Sequence, residues 1–126
     1  MTKDNSVQGI GNDIVEIERI RQSIERHGSH FLDRLFTARE QDYCYKFKDS
    51  VPHFAGRFAG KEAIAKALGT GFGAELSWHD IEILADAQGK PTVHLSEKAR
   101  HRFHDPRLLV SISHSSAYAT SVAIMV

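Results

Sequence analysis

The chain has 126 residues and 41% hydrophobic content, which suits one soluble domain over residues 1–126 burying roughly two-thirds of its unfolded-chain surface. Lys plus Arg and Asp plus Glu number 16 each, so the zero net charge argues against a basic nucleic-acid binder, and any charged partner must be met by a local patch. The single cysteine excludes an internal disulfide and no run approaches the roughly 18 apolar residues of a membrane span; with no leader-like apolar stretch in MTKDNSVQGIGNDIV, a cytoplasmic protein is expected.

Residues 1–6 are polar and are expected to fray. Val7 to Gly11 is short, apolar and Gly-rich, and predicts a first strand. Asp13 is then expected to open a helix in which Ile17, Ile20 and Ile24 repeat at helical spacing and Gly28 ends the pattern. Thr37-Ala38-Arg39-Glu40 is a capping box for a short helix to about Phe47. Ser50 and Pro52 start the longest helical stretch, to Leu68, with Gly69 as its C′ residue. Ala55, Ala59, Ala63 and Ala67 recur every four residues, so another element can pack close and the helix is expected to be central. Ile81–Leu84 and Thr92–Leu95 flank the turn Asp86-Ala87-Gln88-Gly89-Lys90-Pro91 as two strands. Ser96 caps a short helix to Phe103, and 108–114 with 118–125 reads as a closing hairpin. The fold class is α+β, with mostly antiparallel strands.

Several segments could carry chemistry, and each also has a plain structural reading. Asp13 could hold a hard cation at a Gly-flanked strand end, or act as the N-cap of a D-x-x-E pattern with Glu16. Glu62 and Lys66 share a helix face one turn apart, as a metal-binding or basic carboxylate beside a phosphate-binding ammonium, or as a surface i,i+4 pair. Arg57, Lys61 and Lys66 are crowded onto an otherwise Ala/Gly/Phe helix, where unpaired charge is costly. Gly69-Thr70-Gly71-Phe72-Gly73 could cradle a phosphate, although it follows a helix C-terminus, where a plain cap is the simpler reading. His114 extends the apolar face of Val110 and Ile112, which favours a core histidine over one at a cleft edge. Cys44 sits among aromatics and is expected to be buried. His101 and His104 lack companions for a zinc site. Arg19 and Arg26, seven apart, form a cationic stripe separate from the isoleucines; it is a solvated face or a dock for an acidic partner.

Taken in order, four segments resemble the short, bacterial-type 4′-phosphopantetheinyl transferases. They are Gly9-Ile10-Gly11-Asn12-Asp13-Ile14-Val15-Glu16-Ile17-Glu18-Arg19-Ile20, Phe54-Ala55-Gly56-Arg57-Phe58-Ala59-Gly60-Lys61-Glu62-Ala63, Lys66-Ala67-Leu68-Gly69-Thr70-Gly71, and Ser111-Ile112-Ser113-His114 with Tyr118-Ala119. Gly60 stands where that family often has alanine, Gln88 where asparagine is usual, and Thr120 and Ser121 replace small apolar residues. The resemblance implies that family's fold, with antiparallel strands around a long central helix. The implied reaction moves 4′-phosphopantetheine from coenzyme A to a serine of acyl carrier protein, releasing adenosine 3′,5′-bisphosphate, in fatty acid biosynthesis. It implies a homotrimer with coenzyme A between protomers, and Mg²⁺ held by Asp13 and Glu62. By the same resemblance Glu62, Lys66 and Asp13 are catalytic, and Arg57, Lys66, Gly69, Thr70, Pro91 and His114 bind the coenzyme. Arg19 and Arg26 then receive the carrier. Two other readings are a non-catalytic coenzyme A or nucleotide-binding trimer and a metal-dependent phosphohydrolase.

Overall fold

A computed structural model describes residues 6–126, so the expected fraying at the N-terminus lies mostly outside the described residues. Strand β1 (Gly9–Glu16) runs directly into α1 (Ile17–His27), followed by α2 (Ser29–Leu35), α3 (Ala38–Cys44) and the long α4 (Val51–Leu68). A single 3-10 turn (Trp78–Asp80) leads to β2 (Ile81–Ala85) and β3 (Pro91–Leu95). The chain closes with α5 (Glu97–Arg102), β4 (Leu108–His114) and β5 (Tyr118–Met125). β1, β5 and β4 form one antiparallel sheet in that order, and β2 and β3 a separate antiparallel hairpin.

Helix α4 is the centre of the molecule, as the alanine spacing predicts. Twelve of its eighteen residues are buried, including Ala55, Ala59 and Ala63 with no exposed surface. A helix that is apolar all round must be covered on several sides, and α4 packs on the three-stranded sheet, on α1, and on the β2–β3 hairpin. Ala119, Ser121 and Ala123 of β5 supply an equally small inward face, so helix and sheet approach closely. At its end, Gly69 adopts φ 84° and donates to the Ala65 and Lys66 carbonyls while Thr70 N–H bonds the Ala65 carbonyl, a C-terminal cap.

Two sequence expectations need correction. Asp13 does not open a helix: it lies inside β1, paired with Ser121, and α1 begins four residues later. The local capping pattern loses to an eight-residue ladder with β5, running from Gly9↔Met125 to Glu16↔Tyr118, in which each pairing reinforces the next. Helix α2 has no counterpart in the predicted elements; Gly28, at φ 54°, turns the chain, and Leu32 and Leu35 then bury on the core. The Thr37 capping box forms as expected, with both reciprocal bonds present.

Candidate active site

The two glycines of Gly9-Ile10-Gly11 shape the site by what they omit. A Cβ on Gly9 would lie 2.1 Å from the Ala67 carbonyl oxygen, and one on Gly11 2.0 Å from that of Ala63. Their absence lets β1 lie flat against the C-terminal half of α4. Period-two alternation then turns Gly11, Asp13 and Val15 toward the helix, while Ile10, Asn12 and Ile14 face outward.

Asp13 therefore meets Glu62 and Lys66, from segments about fifty residues apart in sequence. Lys66 Nζ donates to the Asn12 carbonyl at 2.8 Å and lies 3.3 Å from an Asp13 carboxylate oxygen. The Thr120 hydroxyl donates to the Asp13 carbonyl and ties the segment to β5. Among the described residues Glu62 makes no hydrogen bond or ion pair. Burial, and then the Asp13 charge, raise its proton affinity above that of an ordinary glutamate; Lys66 opposes them. Two facing carboxylates with one open ammonium make a site short of positive charge and rich in oxygen donors. Such a pair suits Mg²⁺, which takes one or two carboxylates and completes its shell with substrate phosphates and water. The described residues contain no cluster of three or more potential metal-binding side chains, so substrate oxygens would have to complete the set.

Arg57 and His114 belong to a second cluster. Arg57 is 5% exposed, its guanidinium lies 4.1 Å over the Tyr43 ring, and its Nε is buried without a hydrogen-bond partner. The core reading of His114 is corrected: the strand ends there, the ring is exposed, and it meets His53 edge-on with centroids 5.6 Å apart. His53 stacks on Phe47 at 3.5 Å. Sequence reasoning passed over His53, although its place one helical turn before Arg57 was a usable signal. Asp13 pairs with Ser121, which pairs with Ile112, and His114 lies two residues beyond. Sheet spacings thus put the Asp13 and His114 backbones roughly 12 Å apart.

The other expected site residues lie further out. The N–H groups of Gly69 and Thr70 are used by the cap of α4, which leaves their carbonyls and the Thr70 side chain at the Lys66 end of the helix. Pro91 begins β3, in the other sheet. Arg19 and Arg26 are exposed on α1, line a shallow groove with Gln22, Ser23 and His27, and make no ion pair among the described residues. Lys61, by contrast, is fully buried against Glu40 at 2.7 Å and has no exposure to solvent. Cys44 is buried as expected, and burial pushes its thiol up to about 12, which makes it inert.

Residues 9–123 match the model of the 4′-phosphopantetheinyl transferase superfamily. The holo-[acyl-carrier-protein] synthase of Protochlamydia amoebophila is 55% identical over 116 residues, covering 92% of this chain and 95% of the relative. The crystal structure of Helicobacter pylori holo-[acyl-carrier-protein] synthase in complex with coenzyme A superposes with a TM-score of 0.86 at 38% identity, covering 93% of this chain and 99% of that one. The Bacillus anthracis synthase, in complex with coenzyme A (3′,5′-ADP), gives a TM-score of 0.81 at 36% identity, covering 94% and 96%.

Proposed function

Because the chain belongs to the 4′-phosphopantetheinyl transferase superfamily, we propose a site-by-site account of how it works as a holo-[acyl-carrier-protein] synthase. The enzyme transfers 4′-phosphopantetheine from coenzyme A to acyl carrier protein. The observation that carries the account is the meeting of Asp13, Glu62 and Lys66 at the β1–α4 contact. Asp13 and Glu62 would hold Mg²⁺, and the ion, when bound, neutralises charge developing on the pyrophosphate oxygens.

Lys66 reaches the same phosphates as a point charge, half-exposed and anchored by the Asn12 carbonyl. The carrier serine oxygen attacks the phosphorus attached to pantetheine, and the bond from that phosphorus to the bridging oxygen breaks. Adenosine 3′,5′-bisphosphate leaves with the bridging oxygen. The serine proton passes to Glu62, whose proton affinity burial and the Asp13 charge raise above that of an ordinary glutamate. Arg57 and His114 hold coenzyme phosphates, and the Gly69–Thr70 turn and Pro91 supply further contacts to the coenzyme. Arg19 and Arg26 receive the acidic carrier.

We also propose a cytoplasmic homotrimer that serves fatty acid biosynthesis. The outward face of the β1-β5-β4 sheet supports assembly: Ile10, Ile14, Leu109, Tyr118 and Val122 are all exposed there, an apolar set suited to burial between copies. No helix among the described residues is long and apolar enough to cross a membrane. The decisive experiment is intact mass of an apo carrier after incubation with coenzyme A and Mg²⁺. The carrier should gain one phosphopantetheinyl group, and adenosine 3′,5′-bisphosphate should appear only when carrier is present. Release of that nucleotide without carrier would point to hydrolysis, and its absence in both cases to a binding protein.

A further inference from the structure

We propose that Ser121 is a positioning residue for Asp13: its buried hydroxyl donates to the carboxylate oxygen that Lys66 leaves free, and so holds that carboxylate toward the metal. The inference rests on the reading above that Asp13 holds Mg²⁺, and deepens it.

Ser121 carries a hydroxyl where the fold gives it almost nothing to bind. The residue is 2% exposed, and its Oγ is one of two buried side-chain polar atoms among the described residues with no hydrogen-bond partner. A buried hydroxyl costs stability unless it is bonded, and such orphans are rare enough to need a reason. Its neighbours supply one. Ser121 lies in the middle strand of the β1-β5-β4 sheet, on the buried face that also carries Ala119 and Ala123. Across to β4 it pairs with Ile112. Above it lies Gly60 of α4, where a Cβ would come 3.7 Å from the Ser121 Oγ. All of these are apolar. Across to β1 it pairs with Asp13, the one polar side chain in this set.

Residues directly opposed on one face of an antiparallel pair have Cβ atoms about 4.5–5.5 Å apart. A serine hydroxyl and a carboxylate oxygen turned toward each other span that gap with a hydrogen bond of ordinary length. Asp13 has the oxygen to offer. Lys66 Nζ lies 3.3 Å from its Oδ1, and its Oδ2 makes no hydrogen bond among the described residues. A divalent cation on the same carboxylate competes with the Lys66 ammonium. A carboxylate loosened from Lys66 needs another donor to fix its rotation, and Ser121, held in the middle strand, supplies it. Hydrogen bonds from outside the ligand set orient ligating carboxylates in this way.

Thr120 completes a two-point hold. Its hydroxyl donates to the Asp13 carbonyl at 3.0 Å, so β5 fixes the backbone of Asp13 through one residue and its side chain through the next. Both residues stand where the family has small apolar ones, so the hold is a feature of this chain. Ser121 thus raises metal affinity at a cost in metal-free stability.

The test is Mn²⁺ binding, followed by electron paramagnetic resonance in the presence of saturating coenzyme A, for the wild type, Ser121→Ala, Ser121→Cys and Asp13→Asn. Urea unfolding of each metal-free protein runs beside it. Mn²⁺ is the probe because it takes the same oxygen ligands as Mg²⁺. Ser121→Ala should lose about tenfold in Mn²⁺ affinity, the scale of a lost partner behind a metal ligand. It should be no less stable than the wild type, because the orphaned hydroxyl is gone. Ser121→Cys fills the space with a much weaker donor and should lose nearly as much affinity. A serine that only packs cannot produce this split: parallel losses of stability and affinity in Ser121→Ala would overturn the inference. Full affinity in Ser121→Cys would overturn it too, by assigning the effect to volume. Unchanged affinity in Ser121→Ala, with Asp13→Asn weakened, would overturn the role of Ser121 alone. Unchanged affinity in Asp13→Asn as well would overturn the metal reading beneath it.

Discussion

Helix α4 carries two lysines five residues apart, and each meets a carboxylate brought by another element, yet the two pairs have opposite fates. Lys61 and Glu40 lie 2.7 Å apart with both side chains fully buried. Lys61 also donates to the Leu35 and Trp78 carbonyls, and Glu40 also accepts from the Thr37 and Ile83 N–H groups. Every strong valence of that pair is used, so it can only hold α3, α4 and β2 together. Burial pulls the Lys61 ammonium below its ordinary value, with Glu40 opposing. Lys66 and Asp13 are 3.3 Å apart, with side chains 53% and 19% exposed, and Glu62 beside them makes no hydrogen bond or ion pair among the described residues. That group has oxygens and N–H bonds to spare. Residue type does not separate structural from chemical charge on this helix; unspent hydrogen-bonding capacity does.

The largest expected effect breaks the open group. Asp13→Asn or Glu62→Gln should lower transfer roughly a thousandfold, the scale of losing metal-assisted charge stabilisation. The fold should hold, because each change removes one of two facing negative charges. Single-turnover transfer at saturating Mg²⁺ beside thermal melts measures both, and near-normal turnover of Asp13→Asn would end the metal assignment.

Breaking the closed pair should do the reverse. Lys61→Met strands the Glu40 carboxylate in the core and should cost about 3–5 kcal/mol in urea unfolding. Lys61→Met/Glu40→Gln should recover part of that loss, since the remaining group is neutral. Molecules of Lys61→Met that stay folded should keep their turnover; a kinetic defect without a stability defect would mean that Lys61 works at the site.

The backbone contact behind the open group can be tested separately. Gly11→Ala drives a methyl group into the Ala63 carbonyl and should cost about 1–3 kcal/mol while reducing transfer, as β1 is pushed off α4. Gly71→Ala meets nothing within 4 Å and should do neither.

Arg19 and Arg26 extend the comparison to cations that make no ion pair among the described residues. Reversing both charges should raise KM for the carrier about tenfold at low salt and less at high salt, with KM for coenzyme A unchanged. Equal losses for both substrates would indicate a folding defect instead.

The smallest effect is a displaced titration. Glu62 has a folded-state value above its unfolded one, so its ionisation opposes folding. Its contribution to metal-free stability is full below the ordinary 4.5 and is lost as pH rises through the folded value. Mg²⁺ needs the ionised form, so its affinity should fall, on acidification, at a higher pH than for an ordinary glutamate. Asp13→Asn should move the Glu62 titration back down, which carboxyl-resolved NMR would register; an unmoved titration would mean that the two carboxylates do not face each other.

Much of the fold was legible because its signals are local. The alanine stripe, the Thr37 box, Gly69 and the two hairpins all state their geometry within a few residues. The start of α1 was not legible, since Asp13-Ile14-Val15-Glu16 satisfies a helix cap locally, and only the distant β5 claims it for a ladder. His114 misled for a similar reason. Its period-two position points inward with Val110 and Ile112, but the strand ends before the core can cover it.

The sequence by itself determined which residues could do the chemistry: Asp13, Glu62 and Lys66 are nameable from motif order and residue type. Only the tertiary structure decided which charges are free to do it. The GIG segment, which reads from sequence as a Gly-rich strand end beside Asp13, is the slot through which β1 meets α4. Lys61 and Lys66, alike in sequence, are separated by what covers them. Hydrogen-bond satisfaction is a sum over neighbours from several elements, and those neighbours are assembled only when the chain folds.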